Sequence, residues 1–367
     1  QGERRKVEAS GQASTSRRAA GDAFTLLLPV PFVLSVATAT QSKENATGSA
    51  HTLRLAQGER TRALEASTQV YPSKLLRIII PFPPGGATDI AGRYVAQKLG
   101  ESFGQQAIPD NRPGANGTIA LELTAKALPD GHTLVIGQTG NLAISPGLTK
   151  VNYDPARDFA PISLVIASPH ALAVHPSLPA RSLKELVGLA RSKPGQLNYA
   201  STGSGSAGHL GMELLKKATQ TDVLHVPYKG ANQGLTDLVA GHVALMFTSV
   251  LSTAQFQKSG KVRVIAVGSL ERSPSLPEVQ TIAESGYPGF EVISWWGMLA
   301  PAATPKEIVA RLNSEIVKVM AAPDARDRIG ALGADIMTST PERFAAYIKS
   351  EQAKWGQAIK DSGAKVD

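Results

Sequence analysis

The chain contains no cysteine among its 367 residues, and aromatic residues make up only 5% of it. Without cysteine the protein has no disulfide, no thiolate metal ligand and no cysteine nucleophile. The absence is compatible with an oxidising compartment but does not identify one. Three common kinds of site are therefore excluded before any motif is considered.

Neither sign of charge dominates the chain, which has 38 basic and 30 acidic residues and a formal net charge of +8. The basic residues are spread along the sequence, without the lysine-rich runs and interleaved aromatics that are typical of nucleic-acid surfaces. We therefore expect no nucleic-acid partner and a mild attraction for anions. With 42% hydrophobic residues, a chain of this length can bury more core than one ordinary domain needs, which suggests two lobes.

The apolar run at residues 24–36 is shorter than the roughly 20 residues that a membrane-spanning helix needs. Two arginines precede this run and small residues follow it at positions 37–39, an order typical of a secretory signal peptide. We predict a signal-peptide-like segment over residues 1–40 and a disordered linker over residues 41–70. The alternative is a stray apolar stretch within a disordered tail.

From residue 75 onward, short apolar runs alternate with amphipathic segments, a pattern that predicts strand–helix units on largely parallel sheets. The predicted strands are residues 77–81, 133–137, 162–167, 171–174, 197–200, 223–226, 243–247 and 263–268. Apolar stripes predict helices over residues 90–99, 183–190, 210–218, 308–320 and 344–359. Each stripe is more typical of core packing than of a cofactor site.

Residues 80–89, Ile-Pro-Phe-Pro-Pro-Gly-Gly-Ala-Thr-Asp, predict a strand that runs through a proline-stiffened loop into a helix. Thr88 or Asp89 is expected to cap that helix. Gly85 and Gly86 let a ligand approach bare backbone N–H groups beside the positive end of the helix dipole. The arrangement suits an anion, and the alternative is an ordinary turn between a strand and a helix.

Residues 197–209 repeat this organisation as a strand, a Gly/Ser loop and a helix. Backbone N–H groups and hydroxyls can converge on an oxyanion there without a buried counter-charge. The alternative is a flexible capped turn. The two segments together predict an anion site formed by two loops.

Gly203, Gly205 and Gly208 also match the GxGxxG spacing of dinucleotide-binding proteins. The match is weak, because a Rossmann site needs an acidic residue at the end of the following strand, and residues 225–229 contain none. A P-loop fails because His209 stands where its lysine would follow the last glycine. We expect no cofactor.

A catalytic constellation is hard to find in the sequence. No GxSxG surrounds Ser204 or Ser206, and no close-set His, Asp and Glu residues have metal-ligand spacing. His209 beside Ser206 keeps a hydrolase-like enzyme as the alternative function. A histidine in the first turn of a helix is more often a hydrogen-bonding wall residue, so we expect no catalytic residue and no metal.

Several strings occur in order from residue 71 to the C-terminus: PFPPGGATDIAGR (81–93), NRPGANGTIA (111–120), ALPDGHTL (127–134), YDPARDFAPI (153–162), the Gly/Ser loop, HVPYKG (225–230) and SWWGMLAPAATP (294–305). Together they resemble the tripartite tricarboxylate transporter receptors, also called the Bug family of extracytoplasmic solute-binding proteins. The ordered set is far more specific than any single motif.

The resemblance implies an α/β, two-lobe periplasmic-binding-protein fold of the second type, with two mixed or parallel sheets flanked by helices and a double crossover hinge. Lobe 1 would comprise residues 71–172 and 296–367, and lobe 2 residues 173–295. Receptors of this family hold a ligand carboxylate mainly through backbone amides of the two loops. Carried over by position, the candidate ligand-binding residues are Phe82, Gly85, Gly86, Asp89, Thr139, Asn141, Ser201, Thr202, Gly205, Ser206 and His209.

Residues at two places in the sequence leave the identity of the ligand open. Family members commonly have an aspartate after the strand that ends at Phe247, whereas this chain has Thr248. Trp295 and Trp296 lie at the second expected crossing, where they either contact the carbon skeleton of the ligand or pack the hinge, and we expect packing.

The expected function is a periplasmic solute-binding receptor that captures a small carboxylate for a tripartite tricarboxylate-type transporter or a sensor. Its expected partners are that ligand and membrane permease subunits, and we expect a monomer that is not an enzyme. Which carboxylate binds is left open by the sequence.

Overall fold

The structure is a computed structural model that describes residues 71–363. Within this range ten strands form one connected, mixed sheet flanked by helices. The strands are β1 (Leu76–Ile80), β2 (Ala107–Asn111), β3 (Thr133–Gln138), β4 (Phe159–Val174), β5 (Leu197–Ser201), β6 (Val223–Pro227), β7 (Leu245–Ser249), β8 (Arg263–Val267), β9 (Ile293–Pro301) and β10 (Asp335–Ile336).

Helices connect most of these strands and cover the sheet. They are α1 (Ala87–Phe103), α2 (Thr118–Ala125), α3 (Ser145–Leu148), α4 (Leu183–Ser192), α5 (Ala207–Thr219), α6 (Ala231–Ala240), α7 (Val250–Lys258), α8 (Lys306–Ala321), α9 (Pro323–Arg328) and α10 (Pro341–Ser362). No helix within residues 71–363 is both long and apolar enough to cross a membrane.

The first part of the sheet has the strand order β2-β1-β3-β9-β4, with β10 paired to β4, and we call this part and its helices lobe 1. β1 pairs in parallel with both β2 and β3. Its sequence, Leu-Arg-Ile-Ile-Ile, is almost continuously apolar because a parallel strand between helices is buried on both faces. The strand therefore directs the loop that follows it to the edge of a rigid layer.

The second part of the sheet joins β4 to β7, β5 and β6, with β8 also paired to β4, and we call this part and its helices lobe 2. β5 pairs in parallel with β6 and β7, so the loop after β5 has the same relation to lobe 2 as the loop after β1 has to lobe 1. α4 covers this part with a buried face and begins at Ser182, whose hydroxyl accepts the backbone N–H of Glu185.

β4 belongs to both parts of the sheet. The sequence predicts separate strands at residues 162–167 and 171–174, whereas the structure has one strand of 16 residues. β4 pairs with β9 as far as Pro169 and with β7 from His170 onward. Proline has no N–H to give to a ladder, and it lies at the last position paired with β9, where the strand changes partners. The chain passes between the lobes here and again in the segment that leads from β8 to β9.

Eight elements of the described residues escape the sequence patterns: β2, β9, β10, α2, α3, α6, α7 and α9. β2 is an edge strand that contains a proline, and β10 has two residues, so neither has a readable alternation. α6 and α7 have only 10 and 9 residues and short apolar faces. The residue limits expected for the two lobes stay a prediction, and the segments expected over residues 1–70 lie outside the described residues.

Candidate ligand-binding site

The loops after β1 and β5 leave the carboxyl ends of parallel strands, one in each lobe. Ligands of open α/β sheets commonly bind at this end of the strands, because helices begin there and present free N–H groups. The two loops, residues 82–86 and 202–206, thus lie where the sequence places the site.

The first loop ends at Gly86, which is the N-cap of α1 and has no side-chain cap. The expected capping by Thr88 or Asp89 is wrong, because the helix begins earlier, at Ala87. The carboxylate of Asp89 instead accepts the backbone N–H of Gly85 at 2.9 Å and forms an ion pair with Arg93. Asp89 therefore shapes the loop from behind, and its negative charge has a partner.

The second loop ends at Ser206, whose hydroxyl accepts the backbone N–H of His209 at 3.2 Å and caps α5. Nδ1 of His209 accepts the backbone N–H of Gly205 at 3.2 Å. Gly208 has no room for a side chain, because a Cβ there would lie 2.1 Å from the carbonyl oxygen of Phe247. The close contact between α5 and β7 accounts for the last glycine of the GxGxxG match without a nucleotide.

Two further helices begin beside these loops. α6 starts after Gly230, and α7 starts after Ser249, whose hydroxyl accepts the backbone N–H of Ser252 at 3.2 Å. Sequence reasoning missed both helix starts. The signal that could have found them is the Gly-Ala-Asn at residues 230–232 and the Thr-Ser at residues 248–249, each placed just after a predicted strand.

A cavity lies between the lobes at the meeting point of these four helix N-termini. Its volume is about 40 Å³. None of the described residues that line it is Asp, Glu, Lys or Arg, and the lining consists of Phe82, Pro83, Gly86, Ala87, Thr88, Gln138, His170, Thr202, Ala207, Ala231, Thr248, Ser249, Ser252, Ser294 and Trp296. The polar groups at this wall are therefore uncharged hydroxyl, amide and imidazole groups and backbone atoms.

The electrostatics of the cavity favour an anion. α1, α5, α6 and α7 each have 9 or more residues, and the first residue of α1, α5 and α6 lies on the wall. Each helix N-terminus carries about half a positive charge, spread over N–H groups without an intrahelical partner. Burial lowers the pKa of His170 to about 3, so this side chain adds no charge at neutral pH.

The lobes touch around the cavity. Nδ2 of Asn116 donates to the carbonyl oxygen of Gly205 at 2.8 Å, and Nδ2 of Asn232 donates to the carbonyl oxygen of Pro84 at 3.2 Å. The backbone N–H of Ala87 donates to the hydroxyl of Ser252 at 3.3 Å. These bonds join residues of lobe 1 to residues of lobe 2, so the structure has the lobes closed on each other.

Of the residues expected to bind the ligand, the structure brings three to the cavity wall: Phe82, Gly86 and Thr202. The other eight are not among the lining residues: Gly85, Asp89, Thr139, Asn141, Ser201, Gly205, Ser206 and His209. Ligand contact by any of these eleven residues stays a prediction.

Thr139 and Asn141 organise the turn after β3. The hydroxyl of Thr139 accepts the backbone N–H of Trp295 at 3.0 Å, and Oδ1 of Asn141 accepts the backbone N–H of Gln138 at 2.9 Å. Gln138 itself lies on the wall. β3 thus ends at Gln138, one residue later than predicted, and Gln138 lies on the wall in place of the expected Thr139 and Asn141.

Ser201 and His209 belong to a stacked group beneath the second loop. The rings of His209 and His225 stack with centroids 4.2 Å apart, and Oγ of Ser201 lies 2.7 Å from Nε2 of His225. Oγ of Ser201 also accepts the backbone N–H of Gly203 at 3.1 Å. Ser201, His209 and His225 thus support the second loop from beneath.

Trp295 and Trp296 lie in different surroundings. Trp295 is buried among Phe344 and Tyr347, and its Nε1 donates to Oε2 of Glu351 at 2.9 Å, so it packs as expected. Trp296 lies on the cavity wall, and its Nε1 donates to the hydroxyl of Thr88 at 2.8 Å. The second tryptophan thus both fixes the start of α1 and offers an aromatic surface to the cavity.

Ser206 and His209, which leave a hydrolase-like enzyme as the alternative function, both make hydrogen bonds that support the second loop. The hydroxyl of Ser206 accepts the backbone N–H of His209 and so caps α5, and Nδ1 of His209 accepts the backbone N–H of Gly205. Among the described residues no group of three or more His, Asp or Glu side chains is placed to hold a metal ion. A larger groove of about 820 Å³ lies on lobe 1 beside α10, and none of its lining residues belongs to either loop.

The comparisons with known proteins agree with this geometry. Residues 91–364 match the family described as "Tripartite tricarboxylate transporter family receptor". The chain belongs to this family. Among curated relatives of this receptor, a Pseudomonas sp. (strain P51) protein described as "UPF0065 protein in tcbD-tcbE intergenic region" is 43% identical over 290 residues, 79% of this chain and 86% of the relative. Protein BugT of Bordetella pertussis is 33% identical over 83% of this chain and 94% of its own.

Solved structures of similar proteins share the fold of this receptor. The periplasmic binding protein BugD has a TM-score of 0.78 and 34% identity and covers 81% of this chain and 100% of its own. R. palustris Rpa4515, solved with adipate, has a TM-score of 0.79, 34% identity and the same coverage. MatC from Rhodopseudomonas palustris, solved with bound malate, has a TM-score of 0.75 and 32% identity and covers 79% and 100%. The family thus comprises periplasmic solute-binding receptors.

Proposed function

We propose that this receptor captures a small carboxylate between its two lobes, mainly through backbone N–H groups at helix N-termini. The observation that carries the proposal is the convergence of α1, α5, α6 and α7 on a cavity whose described lining has no charged side chain. An anion is the ligand that such a site favours, because the four positive helix ends have no carboxylate on the wall to neutralise them.

Backbone donors are sufficient for useful affinity. A hydrogen bond to a charged group contributes roughly 1.5 to 3 kcal/mol net. Four such bonds at the upper end of this range sum to about 12 kcal/mol, and an association cost of about 4 kcal/mol leaves about 8 kcal/mol, which corresponds to a roughly micromolar dissociation constant. A buried lysine or arginine is not needed, and the uncharged wall agrees with this.

Binding requires the lobes to open. A cavity of about 40 Å³ is small beside the roughly 300 Å³ or more of a typical small-molecule pocket. A carboxylate with several carbons enters only if the lobes separate, with β4 and the segment before β9 as the hinge. Ligand contacts to both loops then favour closure.

The wall also disfavours an ammonium group on the ligand. With Thr248 on the wall and no Asp or Glu among the described lining residues, a buried cation has no counter-charge. Adipate and malate, the acids present in two similar structures, carry no ammonium group. We therefore propose acids of this kind, and not amino acids, as ligands.

The receptor is proposed to work in the periplasm as a monomer and to deliver its ligand to membrane permease subunits or to a sensor. The family description supports the transporter role, and similarity to the periplasmic protein BugD supports the location. We propose no catalytic step, because the contacts of Ser206 and His209 are those of a helix cap and a loop support.

Calorimetry with matched ligands tests the proposal. The acids are lactate, succinate, malate and adipate, each compared with its neutral amide and, for succinate, with aspartate. At least one acid should bind one to one at roughly micromolar concentration. Its amide should bind at least about tenfold more weakly, because a neutral carbonyl lacks most of the charge-assisted hydrogen-bond energy. Equal binding of acid and amide would overturn the anion site.

A further inference from the structure

His170 lies on β4 where the strand changes partners between the lobes, and it is one of the residues that line the cavity. The residue is only 4% exposed, and its Nδ1 has no hydrogen-bond partner among the described residues. A buried polar atom without a partner costs about 1 to 3 kcal/mol, and such atoms are few in native proteins. A ligand group that completes this bond explains why the cost is tolerated here.

Packing fixes the orientation of the ring. Its edge meets the ring of Phe247, with centroids 5.1 Å apart and an interplanar angle of 64°. On the α5 side, Nε2 lies 3.6 Å from the place where a Cβ of Gly208 would be, so Gly208 leaves just enough space for the imidazole. A ring held in this way is already oriented for a ligand and loses little entropy on binding.

Two of the other polar groups on the cavity wall already have protein partners. The β7 neighbour of His170 in the register is Ser249, whose hydroxyl shares a hydrogen bond of 2.9 Å with the hydroxyl of Ser252. The hydroxyl of Thr88 accepts from Trp296 at 2.8 Å. The unused hydrogen-bonding capacity of His170 is therefore available to whatever enters the cavity.

The ring is neutral at neutral pH because burial lowers its pKa. A neutral imidazole has one N–H donor and one acceptor nitrogen, and which nitrogen has the proton depends on its partners. A hydroxyl both donates and accepts, so it satisfies Nδ1 in either tautomer. A carboxylate oxygen accepts only, so it suits one tautomer and is better matched by the N–H groups of the helices.

We infer that His170 determines ligand specificity by hydrogen-bonding a hydroxyl on the carbon chain of the bound acid, so that the receptor prefers hydroxy acids to their deoxy counterparts. The inference rests on the proposed carboxylate function and deepens it. The helix N-termini hold the carboxylate, and His170 selects the substituent. Recognition of a hydroxyl by a buried polar group is effective because the analogue without it leaves that group without a partner.

Matched ligand pairs test the role of His170 by calorimetry on the whole chain. The pairs are propionate and lactate, succinate and malate, and adipate and 2-hydroxyadipate. In the pair that binds best, the wild-type protein should prefer the hydroxy acid by about tenfold. His170→Phe keeps an aromatic ring of similar size without its nitrogens and should reduce that preference to about twofold or less. His242→Phe is the control, because the His242 side chain is 70% exposed.

The outcomes separate the two proposals. Wild-type protein that binds no acid at all would refute the carboxylate function and the inference with it. Wild-type protein that binds acids with no hydroxyl preference, or a His170→Phe protein that keeps the preference, would refute the inference alone. If the Phe variant does not fold, nitrogen NMR of histidine-labelled wild-type protein decides. Malate but not succinate should then shift one buried imidazole signal, and equal shifts would refute the inference.

Discussion

Nδ2 of Asn116 donates to the carbonyl oxygen of Gly205 at 2.8 Å and so joins lobe 1 to the second loop. The same nitrogen lies 3.1 Å from the hydroxyl of Ser145, within lobe 1. Asn116 has a φ of 51°, a left-handed conformation that asparagine tolerates better than most residues. Its side chain is thus held ready for a contact that exists only while the lobes are closed.

Replacing Asn116 with glycine should weaken ligand binding without a change in fold. Glycine accepts the positive φ, so the change removes the contact between the lobes and not the turn. One such bond contributes about 0.5 to 1.5 kcal/mol, so the dissociation constant should rise about two- to tenfold. Calorimetry measures the affinity, and small-angle scattering measures the fraction of compact molecules.

Gln220→Gly is the matched control for Asn116→Gly. Gln220 also has a φ of 51°, but it lies at the C-terminus of α5, and no hydrogen bond of its side chain to the other lobe is seen among the described residues. Its replacement should leave the affinity unchanged. If both variants lost affinity equally, backbone flexibility and not the Asn116 contact would explain the effect.

A bulky side chain at Gly86 should block the site. Gly86 has a φ of −84°, which any residue adopts, and a Cβ there would lie 3.7 Å from the Cβ of Ala231, an ordinary contact. Gly86→Ala should therefore bind normally. Gly86→Leu should fill the cavity of about 40 Å³ and lower the affinity at least about tenfold, with little change in melting temperature.

The same test applied to lobe 2 decides whether both loops bind. Thr202→Leu places an apolar side chain on the wall from the opposite lobe, and Thr202→Ser is its control. Both bulky variants should lose binding and ligand-induced compaction in scattering. If a folded Thr202→Leu protein bound and compacted like the wild type, the ligand would contact lobe 1 alone.

The positions of the two loops were predictable because proline and glycine restrict and release the backbone in ways that short sequence patterns reveal. The hydrogen bonds and ion pairs that support a loop were not predictable from these patterns. Asp89 was expected as a possible cap of α1, whereas it accepts the N–H of Gly85 and pairs with Arg93. Its role depends on where the helix starts, and a shift of one residue changes which groups the side chain reaches.

The hinge could be anticipated only in part. Residues 162–167 and 171–174 are both apolar, and the sequence predicts them as two separate strands. The structure continues the strand, because Pro169 lies where β4 passes from one partner to the other. His170 came to the cavity by the same route, and pairing between distant strands, which no local pattern contains, is what placed it there.

A buried carboxylate holds the two indole rings at the C-terminal helix. Oε2 of Glu351 accepts Nε1 of Trp295 at 2.9 Å and Nε1 of Trp355 at 3.1 Å. Glu351→Leu leaves both N–H groups without an acceptor and should lower the free energy of unfolding by about 2 to 4 kcal/mol. Glu351→Gln keeps an acceptor oxygen and should lower it less.

Denaturant unfolding measures both Glu351 variants, and Glu342→Leu at the exposed start of α10 is the control. Ligand affinity should stay the same in all three proteins, because Glu351 is not part of the cavity wall. Equal stability of Glu351→Leu and wild type would show that the two indoles find other acceptors.

The stability of the protein should depend on pH through His170. Burial lowers its pKa to about 3 in the folded protein, whereas an unfolded histidine titrates near about 6.5. Between these values the unfolded chain binds a proton that the folded protein excludes, so stability is full above about pH 6.5 and falls as pH falls, by about 1.4 kcal/mol per pH unit. Carboxylates contribute little above about pH 5, because unfolded Asp and Glu titrate near about 4.

Urea unfolding at pH 7.5 and 5.0 should therefore show a loss in the free energy of unfolding of about 2 kcal/mol that is absent in His170→Phe. Because the other histidines are present in both proteins, their effects cancel in the difference between the two losses. Equal losses in the two proteins would mean that His170 takes up a proton in the folded state as readily as in the unfolded chain.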